Sequence, residues 1–124
     1  MPDIRIRIGK AEILVNPLST ATATAIIQSL PFSSIVHTWG DEVYFSIPVS
    51  APKEAGARDL VEAGEIAFWV EGQSIAIGFG PTPISDKNEI RLAAATNIWG
   101  IAVNDVSCLR GVRDGDAVLV EPAG

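Results

Sequence analysis

The sequence predicts a mainly β protein, a closed barrel or sandwich of about eight short strands with one main helix. Three observations predict it. Short apolar runs alternating with period two recur along the chain, clusters of Gly, Pro, Asn and Asp separate them, and a single stretch keeps good helical spacing. So many short strands leave unpaired edges unless the sheet closes or packs on another. The composition, 48% apolar and 19% charged, fits a compact globule rather than a disordered chain. A length of 124 residues predicts one domain, 1–124, large enough to bury a real core.

Asp3–Ile8 alternates, with Ile4, Ile6 and Ile8 on one face and Arg5 and Arg7 on the other. Gly9-Lys10 turns the chain, and Ala11–Val15 returns as a second strand. After Asn16-Pro17, Ser19 is the expected N-cap of a helix running to about Leu30, where Pro31 stops it. Ala23, Ile26, Ile27 and Leu30 share one side of it. Its Thr-rich start forms helix poorly, so packing on the sheet must stabilise it. Pro48–Ala63 is expected as loop, with a short helical turn at Arg58–Glu62. Glu65–Val70, Ser74–Phe79, Ala95–Val103 and Ala117–Glu121 are expected strands. Gly80–Glu89 is a long loop, and Val106–Arg110 a helical turn.

The most informative segment is the hairpin between the helix and Pro48. Its arms are Ser34–Thr38 and Val43–Ile47, joined by Trp39-Gly40-Asp41-Glu42, a turn in which Gly and Asp tolerate unusual dihedrals. With Thr38 opposite Val43, His37 faces Tyr44, Val36 faces Phe45 and Ile35 faces Ser46. Val36, Thr38, Val43, Phe45 and Ile47 then form a core side. Ile35, His37, Trp39, Glu42, Tyr44 and Ser46 form a decorated side, where an imidazole, an indole, a carboxylate, a phenol and a hydroxyl come within reach of one another.

Charge and motifs exclude several function classes. The net charge is -6 and no Lys/Arg cluster appears, so nucleic acid is not an expected partner. No apolar run approaches a membrane span, and the polar start Pro2-Asp3-Ile4-Arg5 is not a signal peptide, so a cytoplasmic location and no membrane partner are expected. Cys108 is the only cysteine, which precludes an internal disulfide and a cysteine-built zinc site. No metal and no cofactor are called for. Phe79-Gly80-Pro81-Thr82-Pro83 lacks the Lys-Ser/Thr ending of a phosphate loop, and no Gly-x-Ser-x-Gly elbow occurs.

Four blocks in order resemble a small prokaryotic cyclophilin-like family. They are Phe32–Pro48, Gly64-Glu-Ile-Ala-Phe-Trp69, Phe79-Gly-Pro-Thr-Pro-Ile-Ser85 and Asn97-Ile-Trp-Gly100, and the resemblance covers nearly the whole chain. It implies a cyclophilin barrel of eight strands with helical caps. The wider cyclophilins are peptidyl-prolyl isomerases, which bind the twisted amide better than either planar form and so lower a barrier of roughly 18–20 kcal/mol. The resemblance implies an arginine on the third strand, a glutamine on the next and an aromatic proline pocket. This hairpin has neither arginine nor glutamine, Ser74-Ile-Ala-Ile-Gly-Phe79 is small where a pocket phenylalanine is expected, and Pro81–Glu89 has no Trp or His. The isomerase machinery is therefore incomplete.

The ligand-binding candidates are His37, Trp39, Glu42, Tyr44, Phe79, Thr82, Ser85 and Asn97. His37, Trp39, Tyr44 and Thr82 are expected to wall a shallow cleft between the hairpin and the pre-organised Gly78–Pro83 loop, with Ser85 and Asn97 near its floor. Each has a plainer reading. His37 can hydrogen-bond a neighbour as a half-buried residue, and Trp39 and Tyr44 can pack at a barrel rim. Asp41 and Glu42 can act as acid or base only if burial tunes them, and a turn usually leaves them solvated. Asn97 either reaches a pocket near Ser85 or satisfies that loop's backbone. Trp69 and Trp99 are read as core or rim, and Cys108 as packing. Three functions follow from these residues and the resemblance together: a binding module for a small molecule or a proline-containing or extended peptide; as the resemblance implies, a weak prolyl isomerase; or, since cyclophilin-like domains also occur in such assemblies, a subunit or regulatory domain, with a protein partner, of an amide-hydrolysing or oxoprolinase-type assembly.

Overall fold

The computed structural model describes residues 3–124, so Pro2 of the polar start lies outside the described residues. The strands are β1 (Ile4–Ile8), β2 (Ala11–Pro17), β3 (Phe32–Ile35), β4 (His37–Thr38), β5 (Glu42–Ser46), β6 (Arg58–Val61), β7 (Glu65–Trp69), β8 (Ser74–Gly78), β9 (Ile90–Ala102) and β10 (Ala117–Pro122). The helix α1 (Ala21–Ser29) comes after β2, and a 3₁₀ helix spans Val106–Gly111. The sheet order is β3-β10-β1-β2-β9-β7-β8-β5-β4, with β6 paired to β9.

That order explains the barrel. The two outermost strands, β3 and β4, are separated in sequence by Val36 alone. One residue thus joins the sheet's two edges, and Ser34 Oγ reinforces the seam by donating to the carbonyl of Ser46 at 2.7 Å. The sheet is thereby nearly closed, which leaves little free edge to template association. The interior holds Ile4, Ile6, Ile8, Ile13, Val15, Val36, Val43, Phe45, Ile66, Phe68, Ile75, Ile77 and Trp99, with Ala23 and Ile26 of α1 packed against them. The alternation of β1 is therefore the pattern of a filled barrel, whereas β8 is buried on both faces.

Several sequence expectations are corrected. The first hairpin arm is split. His37 and Thr38 do pair with Tyr44 and Val43, but Phe32–Ile35 pairs with β10, and the Val36 N–H donates to the Asp116 carbonyl. Ile35 and Ser46 are therefore not ladder partners, although Val36 and Phe45 are both buried in the core as the alternation requires. Thr38 is exposed at the barrel end, its N–H donating to Asp114 Oδ1. Arg58–Glu62 is not helical, because pairing with β9 makes Arg58–Val61 a strand. The split arm and β6 together raise the strand number from eight to ten. The N-cap of α1 is Thr20, whose side chain accepts from Ala23 N, one residue later than expected. Cys108 is exposed rather than packed. Strand β9 starts at Ile90, five residues before the expected Ala95, and this extension shapes the site.

Asn97 fastens the long loop after β5 to the helix. Its amide donates to Thr22 Oγ1 and to the Pro52 carbonyl, and its Oδ1 accepts from Glu54 N. Glu54 in turn accepts from Thr22 Oγ1 at 2.6 Å. Asn97 is 1% exposed, so truncation strands several buried groups at once. Asn97→Ala is expected to cost about 1–3 kcal/mol in urea unfolding.

Candidate functional site

The site is built on the outer face of β5, β8 and β7. Side chains opposed across a ladder share a face, so Tyr44 opposite Ala76, and Ala76 opposite Ala67, form one outward row. Glu42 lies opposite Gly78 in the next row. A side chain at this position of β8 would keep the start of β9 away, since a Cβ on Gly78 would sit 2.4 Å from Ile90 Cγ2. Glycine lets the start of β9 fold down onto β8. Leu92, Ala94 and Thr96 then roof the outward row, with Val61 of β6 packed behind Leu92. The barrel thus carries a second, smaller apolar cluster outside its main core: Val61, Ala67, Ala76 and Leu92, with Tyr44, Ile90 and Ile98 against it.

Between these layers lies a cavity of about 170 Å³, lined by Trp39, Glu42, Tyr44, Trp69, Ala76, Leu92, Ala93, Ala94 and Thr96. Its walls are mostly apolar, and three of the nine lining residues are aromatic. The rings of Tyr44 and Trp69 meet edge to face, with centroids 6.3 Å apart. Thr96 Oγ1 is engaged, donating to the Arg58 carbonyl. The polar feature is Glu42, which is 6% exposed, and its buried Oε1 has no hydrogen-bond partner among the described residues. Removal from water disfavours the charged form and pushes its pKa up to about 7. The expectation that a turn leaves Glu42 solvated is thereby overturned: the turn closes with Trp39 N donating to the Glu42 carbonyl, and the Glu42 side chain belongs to the covered start of β5. Asp41 keeps the surface position expected of it, its carboxylate paired with Arg110 at 3.0 Å.

The other candidates are dispersed. His37 stacks obliquely on Tyr44, with ring centroids 5.3 Å apart, but it faces a separate shallow depression with Phe32, Ser34 and Ser46. Its Nδ1 lies 3.7 Å from Asp114. Phe79 lies under Arg110, whose guanidinium is 5.3 Å from the ring centroid. The Gly80–Glu89 loop does pack on the hairpin turn, since a Cβ on Gly40 (φ 59°) would meet Pro83 and Thr82 at 2.8 and 3.0 Å. The Thr82 and Ser85 hydroxyls, however, are spent inside that loop. Ser85 Oγ accepts from Thr82 N and Arg91 N, and Thr82 Oγ1 donates to the Arg91 carbonyl. They tie the loop to β9 instead of flooring a cleft. Asn97 is opposite Phe68 on the barrel's inner face, away from Ser85. Of the eight candidates, Trp39, Glu42 and Tyr44 share the cavity. Sequence reading missed Trp69 as a wall and the Leu92-Ala93-Ala94-Ala95-Thr96 roof. The signal was the spacing of Leu92, Ala94 and Thr96, which places them on one side of an extended strand.

This architecture has clear relatives. The sequence matches the family described as Cyclophilin-like over residues 2–121, and the chain belongs to that family. It is similar to the solution structure of the hypothetical protein AF2241 from Archaeoglobus fulgidus, with 42% identity and a TM-score of 0.85 over 98% of this chain and 95% of that one. It also shares its fold with McbB, solved in complex with tryptophan, at 19% identity and a TM-score of 0.62 over 98% of this chain and 45% of that one. A comparison with curated proteins found no match. Among the described residues, no helix is long and apolar enough to cross a membrane.

Proposed function

We propose that this chain is a binding module for a small, ring-sized molecule, held in the cavity between Trp39, Tyr44 and Trp69 with Glu42 as its polar anchor. The observation that carries the reading is the Glu42 carboxyl, buried in a mostly apolar cavity without a hydrogen-bond partner among the described residues. Burying such a group is costly unless a partner compensates it, and a bound donor supplies that compensation. Convergence of a few polar groups in an apolar concavity is the usual construction of a ligand site. The size supports a single ring, since a dry cavity of about 150 Å³ accepts benzene. McbB, solved in complex with tryptophan, makes ring-bearing compounds a sensible first library.

The test is a screen of ring-sized compounds by tryptophan fluorescence, because Trp39 and Trp69 line the cavity and Trp99 is sealed in the core. Compounds that quench or shift the emission saturably should lose that effect in Ala94→Phe, which plugs the cavity from its roof. Saturable binding that survives the plug would move the site elsewhere.

Efficient prolyl isomerisation is not expected. The lining holds no arginine, and Arg91 of β9 is engaged with Glu89 and Asp59. In a protease-coupled assay on Xaa-Pro peptides, the interconversion should stay near its uncatalysed time of tens to hundreds of seconds. Acceleration of cyclophilin-like size that scales with protein would restore the isomerase reading.

A further inference from the structure

We propose that the ligand of this cavity is a cationic amine with a small apolar or aromatic body, its ammonium donating to Glu42 while Trp39, Tyr44 and Trp69 enclose the body. The inference rests on the binding-module reading and adds the sign of the ligand's charge. Two features of the lining favour a cation. Aromatic faces carry negative quadrupole charge, and three aromatic residues line the cavity. Glu42 is the only acidic or basic side chain in the lining apart from the Tyr44 phenol. Among the described residues, the neighbouring strands supply no free cation to neutralise it. Arg58 of β6 is paired with Glu65, Arg91 of β9 with Glu89 and Asp59, and Arg110 with Asp41 beside the turn. An anionic or zwitterionic ligand would find no counter-charge for its carboxylate. A monocationic amine completes the site by giving Glu42 both a donor and a charge partner. The net charge of -6 also favours the approach of a cation over that of an anion.

The pairing fixes a proton balance. With the site empty, Glu42 titrates at about pH 7, so below that pH it is a neutral acid and must release its proton to pair with an ammonium. Amine affinity should therefore fall about tenfold per pH unit below 7 and level off above it, whereas a neutral ligand should show no such loss.

Benzylamine and benzyl alcohol, matched in shape, test the proposal by fluorescence titration between pH 5.5 and 8, where an aliphatic amine stays protonated. Benzylamine is expected to bind at least tenfold more tightly than benzyl alcohol at pH 8, with the preference shrinking toward pH 5.5. Glu42→Gln should abolish the preference for benzylamine over benzyl alcohol, because the amide carries no negative charge to pair with the ammonium. The pH profile of the unaltered protein gives the same information without any variant. Equal or tighter binding of the alcohol would overturn the amine assignment while leaving the binding-module reading intact. An amine preference that persists in Glu42→Gln would also overturn it, by moving the charge recognition elsewhere. Binding of neither compound, at any pH, would overturn both.

Discussion

Phe45→Ala should cost about 3–5 kcal/mol in urea unfolding, the range for truncating a buried phenylalanine. Phe45 is fully buried in the barrel interior among residues of several strands. Its removal forfeits transfer free energy and leaves a cavity that a nearly closed sheet cannot collapse to fill. His37→Ala, on the opposite face, should cost less than about 1 kcal/mol. The His37 side chain is 53% exposed and loses an oblique contact with Tyr44 and a 3.7 Å approach to Asp114. Equal losses in the two variants would mean that the faces of β5 are wrongly assigned.

Glu42→Gln should make the protein more stable at neutral and alkaline pH. The folded-state pKa of Glu42 is raised to about 7 by burial, above the ordinary 4.5 expected in the unfolded chain. The folded state therefore holds this proton more tightly. Its stabilising contribution is complete below about pH 4.5 and is lost as pH rises through about 7. A shift of this size corresponds to about 3 kcal/mol between the two limits. Gln has nearly the same shape and does not titrate. The variant's advantage in urea melts should be small at pH 4.5, grow through pH 6 and 7, and level off by pH 8. A difference that stays flat with pH would mean that Glu42 is solvated and that the cavity is wetter than its lining suggests.

Much of the barrel was legible because strand alternation is a local signal. Ile4, Ile6 and Ile8, and likewise Val43 and Phe45, state their face in the sequence. The split at Val36 was not legible, because a continuous apolar and polar alternation cannot say which neighbour each half of the arm will pair with. Strand β6 was hidden in the same way: Arg58-Asp59-Leu60-Val61 acquires its conformation from β9. The site was half legible. The hairpin alternation put Trp39, Glu42 and Tyr44 together. The roof was not visible, because nothing local to Ile90–Thr96 says that it folds over Gly78. Glu42 therefore read as an exposed turn residue, and its burial is a consequence of tertiary structure. Thr82, Ser85 and Asn97 misled because hydroxyls and amides that close a loop or tether a helix have the same composition as those that meet a ligand.

The most direct measurement of the central claim is an amide NMR titration of the unaltered protein with benzyl alcohol and benzylamine at pH 8. If the Glu42 cavity is the binding site, the saturable shifts will cluster on Trp39, Glu42, Tyr44, Trp69, Ala76 and Leu92–Thr96, while Ile4–Ile8 and Val118–Val120 on the far side of the barrel stay silent. Shifts that gather on the His37 depression or around Phe79 and Arg110, with the Trp69 and Thr96 amides unmoved, would contradict it.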